Sequence, residues 1–262
     1  MCGIAGYSLS ADSRVDRTLA AQALMAGIAE RGADAVGYAW RAAGPEIRVH
    51  KQRGGAAALL DRISVPAEAT QVLVHVRDYT KGHPTIEANN HPIRHGAVVG
   101  IHNGIIVNDE EIFADHGFRR AAPEMTVDSE AIFALVEADA SPPVLERLRG
   151  SIATAWLDER APDELCLARA VGRPLWLGRS GSEVFFASTR QALKVVERTL
   201  QLAFAKRELE EGTLIVLRDG GVASVAGFEP DRSYVEETAL PAVRAADEGQ
   251  LCLDRLAALA AA

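Results

Sequence analysis

The second residue sets the terms for this chain. Met1-Cys2-Gly3-Ile4-Ala5-Gly6 places a cysteine directly behind the initiator methionine, at the head of an apolar, glycine-punctuated run that continues to Leu9. A run of this kind reads as a buried strand, so the fold is expected to draw its own N-terminus into a sheet. Methionine removal is favoured before a small residue, and cysteine qualifies. Cys2 would then carry a thiol and a free α-amine on one residue. An α-amine titrates near ~7.7–8.0, so at neutral pH part of it can take the proton of its own thiol, directly or through water. That activation needs no separate histidine. Without further context, Cys2 is equally an ordinary residue of a first strand.

Composition narrows the setting. The 262 residues suffice for one large domain or two small ones. A hydrophobic share of 48% and a charged share of 24% are those of an ordinary globular chain. The formal net charge of -8 argues against a broad nucleic-acid footprint. Cys2, Cys166 and Cys252 are too few and too widely spaced for a disulfide framework or a CxxC-type metal site, and fit a reducing compartment. No apolar run approaches the ~18 residues of a membrane span. The N-terminus lacks the basic-then-apolar layout of a signal peptide. The expectation is a cytoplasmic protein that binds neither membrane nor nucleic acid.

Along the chain, residues 14–30 carry apolar side chains at helical spacing, and residues 36–41 and 47–51 read as an antiparallel strand pair. Residues 56–63 read as a short helix. Gln71-Val72-Leu73-Val74-His75-Val76-Arg77 is a buried strand with polar side chains at its end. Residues 78–95 lack a period and contain Gly82, Pro84 and Pro92, which predicts a long loop of a functional kind. His102-Asn103-Gly104 separates two apolar runs and reads as a tight turn. Asp109 to His116 suggests a helix, and Asp128 opens another as N-cap or first-turn acid. From residue 151 onward, strands dominate: 151–157, 165–171, 175–177, 184–187, 202–204 and 213–217, with one helix at 189–196. An alanine-rich helix is expected over 242–262. The absence of GxGxxG and of βα alternation favours an α+β layered domain over a doubly wound sheet.

Taken together, these stretches resemble the class II glutamine amidotransferases. The resemblance is carried by Cys2-Gly3-Ile4-Ala5-Gly6-Tyr7, Arg31-Gly32-Ala33-Asp34-Ala35-Val36-Gly37, His75-Val76-Arg77 with Thr80 and Gly82, Asn90-His91-Pro92, His102-Asn103-Gly104-Ile105-Ile106-Val107-Asn108, and Asp128-Ser129-Glu130. Gly172-Arg173-Pro174-Leu175 is of the same type. The order is the family's, and the form of the His102 stretch is similar to the glucosamine-fructose-phosphate aminotransferase and amidophosphoribosyltransferase branch. The resemblance implies an N-terminal-nucleophile hydrolase fold, a four-layer α/β/β/α sandwich of two antiparallel sheets. It places the glutaminase domain at residues 2–228, with residues 229–262 as a C-terminal extension too short for a second catalytic domain. Asp78 and Lys81 depart from the family's loop, which carries a large aromatic and a histidine at those places.

The chemistry assigns roles. Hydrolysis of the L-glutamine side-chain amide needs a nucleophile, a proton shuttle, an oxyanion site and a grip on the amino acid. Cys2 supplies thiolate and amine. The Asn103 side-chain amide and the Gly104 N–H are the oxyanion donors. Arg77 offers a fork to the substrate carboxylate. Asp128 is the family-matched partner of the substrate ammonium, and Thr80 matches a residue that helps hold the substrate. Arg31 and Asp34 are expected to form a supporting structural ion pair, with His102 beside Asn103. His75, His91 and His102 fit no common ligand spacing, and the family implies no metal or cofactor. Three functional readings stay open. They are a glutaminase that feeds ammonia to a separate synthase partner, a stand-alone amide hydrolase acting on glutamine or a γ-glutamyl compound, and a catalytically inactive module of the same fold. Homo-oligomerisation is also left open.

Overall fold

The structure, a computed structural model, describes residues 2–41, 44–236 and 241–261. Met1, on whose removal the use of Cys2 depends, lies outside the described residues. In chain order the elements are β1 (Gly3–Leu9), α1 (Arg17–Ile28), β2 (Ala35–Arg41), β3 (Ile47–Arg53), α2 (Ala57–Leu60), β4 (Gln71–Arg77), β5 (Ile93–His95), β6 (Val98–Ile106), α3 (Asp109–His116), α4 (Glu130–Ala138), β7 (Gly150–Asp158), β8 (Glu164–Arg169), β9 (Trp176–Ser180), β10 (Glu183–Ala187), α5 (Arg190–Leu200), β11 (Ala205–Glu208), β12 (Thr213–Arg218), β13 (Gly221–Gly227) and α6 (Ala246–Ala261).

The strands form two antiparallel sheets, β11-β9-β10-β1-β4-β2-β3 and β13-β12-β8-β7-β6-β5. Their inner faces share one apolar layer, with Ile4, Leu73 and Phe186 from the first sheet against Ile101, Ala155 and Leu167 from the second. Helices α1, α2, α5 and α6 cover the outside of the first sheet, and α3 and α4 the outside of the second. The α/β/β/α sandwich expected from the resemblance is the architecture found.

Strand alternation decides which side chains reach the gap between the sheets. In β1, Ala5, Tyr7 and Leu9 face the helices, and Ile4 faces the gap. In β4, Val72, Val74 and Val76 face the helices, and Leu73 faces the gap. In β6, Val99 and Ile101 face the gap. A period of two therefore turns Cys2, His75, Arg77 and Asn103 toward the space between the sheets. The central position of β1, between β10 and β4, anchors the chain's beginning.

Helix α1 lies under other helices as well as over a sheet, so small residues suit it: Ala20, Ala21, Ala23 and Ala26 are all buried. The Asp16 carboxylate accepts from the Leu19 N–H at 2.9 Å and caps its start. It ends at Ile28, short of residue 30, because a 3-10 turn over Ala29–Arg31 brings Arg31 back toward Cys2. The tail is part of this layer. Arg244 and Ala245 donate their N–H groups to the Glu30 carbonyl, and Cys252 and Leu256 of α6 enter the helix-side core.

Several expectations are corrected. Asn103-Gly104 is not a turn: β6 runs unbroken through it, with Asn103 opposite Ala153 and Gly104 opposite Ile152. Gly104 is required there for a different reason, since its φ is +149° and a Cβ would lie 1.7 Å from the Ser151 carbonyl oxygen. The long loop ends earlier than residue 95, because Ile93–His95 pairs with the start of β6 across a turn at Gly96. The strand expected over 202–204 is displaced to β11, as Gln201 ends α5 in the left-handed region and residues up to Phe204 form the connection. β13 carries no apolar alternation visible beforehand; its side chains are largely exposed at a sheet edge. α6 starts at Ala246 rather than at residue 242. No helix among the described residues is long and apolar enough to cross a membrane.

Candidate active site

At one end of the gap between the sheets, β1 begins where β4 ends. Gly3 is opposite Val76 and Ile4 opposite His75, which brings Cys2 level with Arg77. Cys2 is partly buried, and its Sγ donates weakly to the Asp78 carbonyl at 3.5 Å. The Arg31 Nε–H donates to the Cys2 carbonyl at 2.8 Å and fixes its backbone. Burial pushes the Cys2 thiol up, against a hydrogen bond with the Asp78 backbone and the pull of the Arg77 charge. The thiol is therefore not ionised in advance and depends on a base. Burial pushes Cys166 and Cys252 up to about 12, so neither is a competing nucleophile at neutral pH.

Arg77 is 2% exposed, and its guanidinium is held by the loop that follows it. One terminal nitrogen donates to Asn90 Oδ1 at 2.5 Å, and the other to the Lys81 carbonyl at 2.9 Å and to the Gly82 carbonyl. Burial lowers its pKa, opposed by the charges of Cys2 and Asp128. The loop is tied on to the segment before Asp128: Asn89 Oδ1 accepts from the N–H groups of Thr126 at 2.8 Å and Val127 at 3.0 Å. Gly82, at φ +78°, packs against Val127, where a Cβ would come within 3.0 Å of its Cα.

Asp128 does not serve as the side-chain cap of α4. The helix starts at Glu130 after Ser129, and Asp128 Oδ2 accepts from the Ile106 N–H at 2.7 Å. Burial raises its pKa to about 6, with Asp109 adding to the rise and the Ile106 hydrogen bond opposing it. Across the gap, Asn103 is fully buried, and neither its Nδ2 nor its Oδ1 has a hydrogen-bond partner among the described residues. A buried amide without partners is costly in a folded chain and marks a place where a polar group of a ligand would be accepted.

His102 holds this arrangement from behind. Its Nε2 lies 3.3 Å from the Ser151 carbonyl, which can only accept, so Nε2 carries the hydrogen and Nδ1 accepts from the Ser129 hydroxyl at 2.8 Å. One ring thus links β6, β7 and the residue after Asp128. His75 Nε2 donates to the His102 carbonyl at 3.1 Å, connecting the two sheets beside Asn103. Burial holds His75 and His102 at about 3 and pushes His91, stacked on His75 at 4.1 Å, below its usual range. All three are neutral at pH 7, and the lowered proton affinity makes them poor bases for Cys2.

The expected Arg31–Asp34 ion pair does not form. Arg31 points to Cys2, whereas Asp34 Oδ2 accepts from the Tyr79 N–H at 2.9 Å; the turn at Gly32 sends the two side chains to different parts of the site. Thr80 is exposed on the loop, apart from the buried group of Cys2, Arg77, Asn103 and Asp128. Asn89, Asn90, Asp109, Arg120 and Arg173 join the site without being among the residues expected there. The sequence carries a signal for Asn90 in Asn90-His91-Pro92 and for Arg173 in Gly172-Arg173-Pro174. Burial lowers the pKa of Arg31 and of His102, and the Arg173 charge lowers both further, which puts this arginine near the site.

A family model described as a glutamine amidotransferase domain matches residues 80–195, a span that includes Asn103, Gly104 and Asp128. The glutamine–fructose-6-phosphate aminotransferase (isomerizing) of Vibrio parahaemolyticus is 31% identical over 257 residues, 91% of this chain and 39% of that protein. The chain carries a class II glutamine amidotransferase domain. The Bradyrhizobium diazoefficiens protein of the same name is 31% identical over 83% of this chain and 35% of its own length. The chain thus spans about two fifths of the length of these relatives. Among solved structures, the glutamine phosphoribosylpyrophosphate amidotransferase from B. subtilis superposes with a TM-score of 0.65 at 20% identity, over 86% of this chain and 49% of that one. A structure titled as the allosteric regulatory enzyme of purine biosynthesis gives 0.66 at 20% identity. These likenesses to solved structures bear on the fold of the amidotransferase domain.

Proposed function

We propose that this amidotransferase domain hydrolyses the side-chain amide of L-glutamine through a γ-glutamyl thioester on Cys2. The observation that carries the reading is the fully buried Asn103 amide, without a partner among the described residues, on the face of β6 that lines the gap into which Cys2 also turns. With Met1 removed, the Cys2 amine takes the thiol proton, and the thiolate adds to the amide carbon. The carbonyl becomes an oxyanion, which the Asn103 Nδ2–H and the Gly104 N–H stabilise. The amine returns its proton to the leaving nitrogen, the C–N bond breaks, and ammonia departs. Water, deprotonated by the same amine, then attacks the thioester; the C–S bond breaks, glutamate leaves, and the thiol is restored. Arg77 binds the substrate carboxylate and Asp128 its ammonium, and Thr80 helps to hold the substrate from the loop; Arg31, Asp34 and His102 hold these groups in place. No cofactor or metal is required by this chemistry.

The likeness to glutamine–fructose-6-phosphate aminotransferases, two fifths of whose length this chain spans, supports passing the ammonia on to a synthase partner. Residues 2–228 make up the glutaminase unit and residues 229–262 a C-terminal extension, whose α6 packs on the helix layer through Cys252 and Leu256. A cytoplasmic setting, which keeps Cys2 reduced, goes with this reading.

The test is release of glutamate and ammonia from glutamine by the processed protein. Asp128→Asn is expected to raise KM for glutamine by roughly tenfold or more while kcat changes little, because it removes mainly ground-state binding. An unchanged KM would take Asp128 out of the site. The ionised carboxylate is the binding form, so kcat/KM should fall as pH drops through about 6. In Asp128→Asn this contribution should disappear, leaving only the fall that protonation of the Cys2 amine produces.

A further inference from the structure

Lys81, in the loop after Arg77, has a built partner. Its Nζ lies 2.8 and 2.9 Å from the two carboxylate oxygens of Asp109, and 3.2 Å from Glu110 Oε1. Asp109 is 2% exposed at the start of α3. Its Oδ2 also accepts from Arg120 at 2.9 Å. Arg120 in turn donates to the Val127 carbonyl at 2.9 Å and to Glu130 Oε2 at 3.2 Å. Glu130 is fully buried, and its other oxygen accepts from the Ala121 N–H at 2.6 Å and meets His95 Nδ1 at 2.9 Å. At the loop end of this relay, the Lys81 carbonyl accepts from Arg77 at 2.9 Å.

We propose that Lys81 is a positioning residue for glutamine binding: its ammonium, latched on Asp109, fixes the loop carbonyls that orient the Arg77 guanidinium, and Arg120 couples the same carboxylate to the residue before Asp128. This rests on the glutaminase reading above. The two groups that would grip the two ends of the amino acid are thereby set by one ionic relay. An exposed lysine pair is worth little, but here the acceptor is buried and bridged by a second cation. Removing the lysine leaves Asp109 paired with Arg120, so the fold keeps a compensated carboxylate and the loss falls on the loop. Arg77 retains Asn90 as a partner, which makes the expected effect a weaker grip rather than its abolition.

The test compares the full-length processed wild type with Lys81→Ala and Lys81→Arg, by steady-state glutamine hydrolysis and by amide hydrogen exchange. Lys81→Ala should raise KM for glutamine by about five- to tenfold with kcat within about twofold, the size of one charge-assisted contact. Exchange should quicken in residues 79–90 and not in β1 or β6. Lys81→Arg, which can still reach Asp109, should restore both. A wild-type KM with unchanged loop exchange in Lys81→Ala would overturn the proposal. So would faster exchange throughout β1 and β6, which would mark general destabilisation. A wild type that binds but does not hydrolyse glutamine would sink the functional reading alone, and the exchange comparison would still decide for or against the latch.

Discussion

Cys2→Ala is expected to release neither glutamate nor ammonia from glutamine above the uncatalysed background, while unfolding within a degree or two of the wild type. The side chain is only partly buried, and its one hydrogen bond is a weak S–H contact of 3.5 Å, so little stability depends on it. Catalysis depends on it entirely, because no other thiol can substitute. Cys166 and Cys252 are pushed up to about 12 by burial. The buried histidines nearest the site, His75 and His102, stay neutral near pH 7 and lack a nucleophile to activate once Cys2 is gone. Activity in Cys2→Ala, measured with the melting temperature on the same sample, would remove the thioester from the mechanism.

Asn103→Ala should lower kcat by about 10²–10³ and leave KM within a few fold, because an oxyanion donor acts in the transition state. The Asn103 side chain makes no hydrogen bond to another described residue, so the truncation breaks none, and the variant should lose far less stability than activity, through lost packing alone. A coupled loss of stability and kcat would indicate that Asn103 holds the strand rather than the oxyanion. Gly104→Ala is the opposite case. A Cβ 1.7 Å from the Ser151 carbonyl oxygen cannot be accommodated without parting β6 from β7. This variant should lose stability by several kcal/mol, as strained-backbone and overpacking changes do.

The candidate site is legible in the sequence to the extent that its motifs are. Cys2, Arg77 and Asn103 stand in stretches whose residue types suit one chemical task, and Asp128 follows from the family resemblance; the fold brings all four to the gap between the sheets. The strand over Gln71–Arg77 was read residue for residue, since a continuous apolar run ending in polar groups has few other solutions. Other features were hidden for physical reasons. Asn-Gly favours turns locally, yet long-range pairing of β6 with β7 overrides that preference. Arg31 and Asp34 are close in sequence, but Gly32 between them divides their directions. The Lys81–Asp109–Arg120 relay joins residues from a loop, the start of α3 and the segment after it. Nothing in their spacing announces a meeting that tertiary folding alone creates. β13 leaves no mark in the sequence because an exposed edge strand needs no apolar face.

The central claim is that one residue supplies both nucleophile and base, and it is tested most directly by the α-amine itself. Samples of the full chain in which Met1 is removed from different fractions of the molecules, quantified by intact mass, can be compared for glutamine hydrolysis. The rate should rise in proportion to the fraction that begins at Cys2. A γ-glutamyl adduct trapped by acid quench should map only to peptides starting at Cys2. Full activity in protein that retains Met1, or an adduct elsewhere in the chain, would contradict it.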